Sequence, residues 1–165
     1  MPIMPKKHNV KREIMHWIID YYTLRDAYLE KLSRLDSVKE LDGMPRSNGT
    51  TNDVCANKAI TIIELEHEKE WLTTVELMET ALSEKTRKFL ELRRDAANQI
   101  PERHKRGRPN WTGYVQANFA EWFFNRYNRY SVPSRETMDE WMDKIVNITA
   151  GIAIGKGIFK EKVFL

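Results

Sequence analysis

One cysteine, seven glycines and six prolines are all that this chain of 165 residues holds of the types that make cross-links and tight turns. With Cys55 alone there is no internal disulfide and no cysteine-based zinc finger, and a reducing, cytoplasmic setting is expected. So few Gly and Pro argue against an all-β sandwich or barrel, which needs a turn about every 8–12 residues. No apolar run approaches the roughly 18–20 residues that cross a bilayer, and the opening MPIMPKKHNVKRE lacks the apolar stretch of a signal peptide. A soluble protein without a membrane partner is therefore expected. Hydrophobic residues at 41% and charged ones at 31% are enough to bury a core and exclude disorder throughout.

The sequence also lacks the groupings that carry catalysis. His8, His16, His67 and His104 are scattered, and His67-Glu68 has no second histidine to complete an HExxH zinc site. Gly155-Lys156-Gly157 has neither the spacing nor the preceding strand of a phosphate loop. Cys55 at the start of a helix reads as a small packing residue. No enzyme activity, cofactor or metal is expected.

What is present is helical periodicity. Ile14, Tyr21, Tyr28 and Leu35 recur every seven residues, with Ile18 and Leu32 between them, and no Gly or Pro interrupts the run from Lys11 to Leu41. This predicts one helix of about thirty residues, some 45 Å long. Its stripe is an imperfect coiled-coil seam, since Arg25 and Lys39 occupy apolar positions. The segment Asp42–Asn52 is a loop, and a second helix follows to about Leu82, so the two pack as an antiparallel hairpin. The seam of Ile14, Ile18, Tyr21, Tyr28, Leu32 and Leu35 is expected to pair with a second copy, making a dimer or higher oligomer.

Ser83 caps a short helix that buries Phe89, Leu90 and Leu92. A basic linker over 98–110 comes next, then an aromatic-rich helix from Trp111 to Arg129, a turn at Tyr130–Ser134, and a last helix opening at Arg135. The expected fold is all-α, with a helical hairpin over 1–82 and a helix–turn–helix domain over 83–165. Charge divides the same way: from Arg103 onward eleven Lys/Arg face six Asp/Glu, or +5, leaving −2 for the rest. A basic half suggests a polyanionic partner.

Two segments suit DNA. Arg103, Lys105, Arg106 and Arg108 make the linker basic, and Arg106-Gly-Arg-Pro109 is the core of an AT-hook, whose guanidinium groups seek the negative potential of a narrow minor groove. The last helix opens with Ser134, Arg135, Glu136, Thr137 and Asp139, where a recognition helix would read bases; Met138 and Trp141 point to the core. Glu136, Asp139, Glu140 and Asp143 make that outer face acidic, which repels phosphate unless some acids accept from cytosine N4.

The segment Ser83-Glu-Lys-Thr-Arg-Lys-Phe-Leu-Glu-Leu-Arg93 resembles the first helix of the sigma-70 region 4 module. Phe119-Ala-Glu-Trp and Pro133-Ser-Arg-Glu-Thr-Met138 resemble its helix–turn–helix. With the long first helix and the Leu41-Asp-Gly-Met-Pro-Arg-Ser-Asn-Gly49 loop, the layout is similar to phage-encoded regulators of Gram-positive hosts, the RinA and ArpU groups. The resemblance implies a DNA-binding transcription regulator of phage or prophage origin, with double-stranded DNA and host RNA polymerase as partners. The sequence departs from that pattern in its basic insertion and in a turn about eight residues longer than the module's. A small terminase-like packaging subunit and a protein-interaction module without DNA binding stay open.

Overall fold

The computed structural model describes residues 7–40, 51–100 and 111–159, with side chains over 10–36, 56–100 and 111–159. Among them are six α-helices and no strand: α1 (Lys7–Ile19), α2 (Tyr21–Glu40), α3 (Thr51–Thr80), α4 (Glu84–Gln99), α5 (Trp111–Tyr127) and α6 (Arg135–Gly155). No helix among the described residues is long and apolar enough to cross a membrane.

The first thirty-residue helix is broken. Asp20 separates α1 from α2, and the helical bonds that bracket the break run from Asp20 N to His16 O and from Leu24 N to Asp20 O. The cause lies far away in sequence: the buried Arg94 of α4 donates from Nε to the Ile18 carbonyl at 2.8 Å. A side chain that takes a helix carbonyl from its own ladder is a known origin of sharp kinks.

The oligomerisation seam is corrected with it. Ile14 and Ile18 are wholly buried and Tyr21 is 6% exposed, all three within this chain's own core. They pack with α3, α4 and α6, so of the seam Leu32 alone is exposed, while Tyr28 and Leu35 are half-buried. Beyond the break, α2 runs antiparallel to α3: Tyr21 Oη donates to Glu76 at 2.7 Å, and Lys31 pairs with Glu68 nearer the far end.

The expected boundary at Leu82 and Ser83 does not divide the core. One cluster of buried side chains runs from Val10, Ile14 and Ile18 through Trp71, Val75 and Met78 to Phe89, Phe119, Met138 and Ile145. The reason is α6, whose Met138, Met142, Ile145, Val146, Thr149, Ala150 and Ala153 form one continuous apolar stripe. That stripe lies on α3, α1 and α4, and Lys11 of α1 pairs with Asp143 of α6 at 2.8 Å. α5 instead packs chiefly on α4.

Local signals set the helix ends. Ser83 and Ser134 are both extended N-caps, accepting from the Thr86 and Thr137 amides at 3.4 and 3.1 Å. Gly157, at φ +77°, closes α6: its own amide donates to Ile154 O and that of Ile158 to Ala153 O, both at 2.9 Å. This paired pattern around a left-handed residue is the Schellman motif, which glycine adopts without strain.

Candidate nucleic-acid interface

The turn between α5 and α6 is held rigidly although it carries no regular structure. Asn128 ends α5 in the left-handed region at φ +52°, with its amide donating to Phe124 O at 2.8 Å; asparagine tolerates that region better than most residues. Tyr130 folds back to stack on Phe124, ring centroids 4.4 Å apart. Pro133 is buried, and its carbonyl accepts from Gln116 Nε2 of α5 at 2.9 Å.

This scaffold presents three arginines: Arg126, Arg129 and Arg135 are all exposed. Tyr130 and Val132 stand beside them at 77% and 63% exposure. Arg126 Nε reaches Glu84 at 3.1 Å, and Tyr127 Oη donates to the same carboxylate at 2.9 Å. The tyrosine bond first, and then the arginine charge, hold Glu84 below the usual carboxylate range; accepting that proton pushes the Tyr127 hydroxyl up. Arg135 lies 3.9 Å from Asp139 across one helical turn with both groups largely in water, so the pair constrains it little. Arg129 has no ion pair among the described residues.

The expected recognition residues fall into two groups. Arg135, Glu136 and Asp139 are exposed on the outer face of α6. Ser134 and Thr137 are occupied in the cap, where their hydroxyls also meet at 2.9 Å. Met138 is wholly buried, and the Trp141 ring lies 5.5 Å from Phe89 and 5.4 Å from Phe119. Over the first three turns the exposed positions carry Arg135 and Lys144 against Glu136, Asp139, Glu140 and Asp143, the last of them paired with Lys11. Cationic character thus belongs to the turn and the helix start, and the face beyond is acidic. Arg126, Arg129 and Tyr130 were not among the expected contacts. Their signal is the run Arg126-Tyr-Asn-Arg-Tyr130, two arginines interleaved with aromatics where a helix ends.

Arg103, Lys105, Arg106 and Arg108 lie outside the described residues. α5 begins at Trp111, and the basic turn sits at its other end, about 25 Å along a 17-residue helix at 1.5 Å per residue. At the α5 start, Arg93 stacks over Trp111 at 4.3 Å, where burial pushes its guanidinium pKa down. Among the described residues no group of three or more His, Cys, Asp or Glu stands ready to hold a metal ion.

A second surface lies at the far end of α2 and α3. Tyr28, Leu32, Leu35, Ile62 and Leu65 line a groove of about 300 Å³. Leu29 is exposed near its rim at 51%. No protein-family model, no curated protein and no solved structure matches this chain.

Proposed function

We propose that the protein is a sequence-specific DNA-binding transcription regulator of phage or prophage origin that works with host RNA polymerase. The observation that carries this reading is the rigid α5–α6 turn with Arg126, Arg129, Arg135 and Tyr130 exposed around a capped helix start. Exposed guanidinium groups beside unpaired backbone N–H groups of a helix N-terminus suit the phosphate backbone. On this reading α5 and α6 act as the helix–turn–helix, the turn and first turn of α6 meet the major groove, and the Arg103–Arg108 segment reaches an adjacent minor groove as an arm.

The groove of Tyr28, Leu32, Leu35, Ile62 and Leu65 supports self-association through the outer part of the expected seam. A dimer would place two such turns on neighbouring half-sites. The acidic outer face of α6, with Glu136, Asp139 and Glu140, favours a second reading, in which this helix docks a basic protein. Chromatin immunoprecipitation from induced cells separates the possibilities. Enrichment at promoters supports regulation, enrichment at a packaging site supports a terminase-like role, and no enrichment leaves protein docking.

A further inference from the structure

Tyr130 is the most exposed large hydrophobic side chain among the described residues, at 77%, and Val132 two positions on is 63% exposed. So open a ring would ordinarily turn freely in water, but this one is seated. It lies nearly parallel to Phe124 of α5, with 20° between the planes and 4.4 Å between the centroids, in the manner of stacked aromatic pairs. Phe124 is itself half-buried. Beyond Val132 the chain is pinned at Pro133, which is buried and bonded through its carbonyl to Gln116. One face of Tyr130 thus rests on Phe124, and the other stands open to solvent. Charge marks the same segment: residues 125–135 hold Arg126, Arg129 and Arg135 and no acid.

We infer that the open face of Tyr130 stacks on a nucleobase of bound DNA, extending the Phe124–Tyr130 pair by one ring, with Arg129 on the adjoining phosphate. This rests on the DNA-binding reading above and adds what that surface selects. A base inside a duplex has a neighbour on each face, so only a base at a locally unstacked step can meet the ring. The ligand is therefore DNA with an opened step, and pyrimidine–purine steps open most readily. Val132 is the wedge beside it, the part that apolar side chains take where a protein unstacks and kinks a duplex. Every base has a π face, so this contact reads shape and tolerates sequence. Base reading stays with the start of α6, and the turn supplies a preference for deformable DNA.

Binding of the full chain to a pair of short duplexes of one sequence tests the stack. One duplex is fully paired, and the other carries a single bulged 2-aminopurine, whose fluorescence reports stacking. The chain should bind the bulged duplex about tenfold tighter, the size of one base–aromatic stack, and change its fluorescence. Tyr130→Ala and Tyr130→Leu should both lose that preference, and Tyr130→Phe, which keeps the ring, should retain it. The preference should persist as salt rises while affinity for both duplexes falls, because stacking releases no counterions. A chain that binds both duplexes equally, or a preference that Tyr130→Leu retains, overturns the stack and leaves the DNA-binding reading standing. Binding to neither duplex overturns both and leaves the ring to a protein partner.

Discussion

Arg94 and Ile18 are 76 residues apart in sequence, yet the arginine Nε donates to the isoleucine carbonyl at 2.8 Å inside the core. The same guanidinium pairs through Nη1 with Glu79 at 2.6 Å and lies over the Tyr21 and Tyr22 rings at 5.1 and 5.3 Å. One side chain from α4 therefore fixes the junction of α1 and α2 against α3. With 4% exposure it is a buried charge whose removal leaves a helix carbonyl without its donor and Glu79 without its ion-pair partner.

Arg94→Ala should cost about 3–5 kcal/mol in urea unfolding, the range for breaking a buried ion pair. Arg94→Lys should recover only part, because an ammonium lacks the planar fork that serves the carbonyl and the carboxylate together. A loss below about 1 kcal/mol for Arg94→Ala, the size of an exposed pair, would contradict this.

Tyr21 should make stability fall at alkaline pH. Burial, and then its bond to Glu76, push its hydroxyl up to about 12 from 10.0. A raised folded-state value means the folded protein keeps its proton while the unfolded chain loses it, so the contribution is complete below pH 10 and declines toward 12. At neutral pH Tyr21→Phe should be less stable by about 1 kcal/mol for the lost hydrogen bond. Between pH 10 and 12 that gap should narrow, since the phenylalanine has no proton to lose; a constant gap would refute the assignment.

The two serine caps should be worth about 0.5–2 kcal/mol each. Ser83→Ala and Ser134→Ala should both lower the unfolding midpoint, and the glycine variants should lose only a few tenths of a kcal/mol. If Ser134→Ala is neutral, the cap that orients the start of α6 is not holding it.

Self-association should separate the two parts of the original seam. Leu32→Glu, at a position 38% exposed on the groove, should yield a folded monomer by analytical ultracentrifugation while the parent chain is a dimer. Ile14→Glu, at a wholly buried position, should unfold the protein at any concentration. A parent chain that sediments at 19.5 kDa would remove the dimer from the account.

Local signals in the sequence were legible where they act locally. Ser83 and Ser134 cap as their positions indicate, and Met138 and Trp141 face the core. Periodicity found the apolar stripe on α1 and α2 but could not say what covers it, because a heptad reads the same whether its partner is another chain or α6. The break at Asp20 was illegible for the same reason, since its cause is a guanidinium supplied from α4. A shared core across residues 82 and 83 follows from the unbroken stripe of α6, whose destination no local pattern specifies. The arginines of the α5–α6 turn are signalled only by the run Arg126-Tyr-Asn-Arg-Tyr130, and their exposure depends on how α5 packs on α4, which no local pattern specifies.

In vitro selection from a random pool of duplex DNA, followed by binding measurements on the enriched site, tests the central claim most directly. The account predicts one enriched motif with an A·T-rich flank. Arg135→Ala, at the start of α6, should weaken binding to it by about 1–3 kcal/mol with little change on random DNA, whereas Arg129→Ala, on the phosphate backbone, should weaken binding to both. Arg106→Ala with Arg108→Ala should weaken binding to every sequence and lower the salt slope by about two. A pool that enriches no motif, or an arm variant that alone abolishes binding while Arg129→Ala and Arg135→Ala change nothing, would contradict the account and leave the α5–α6 surface to a protein partner.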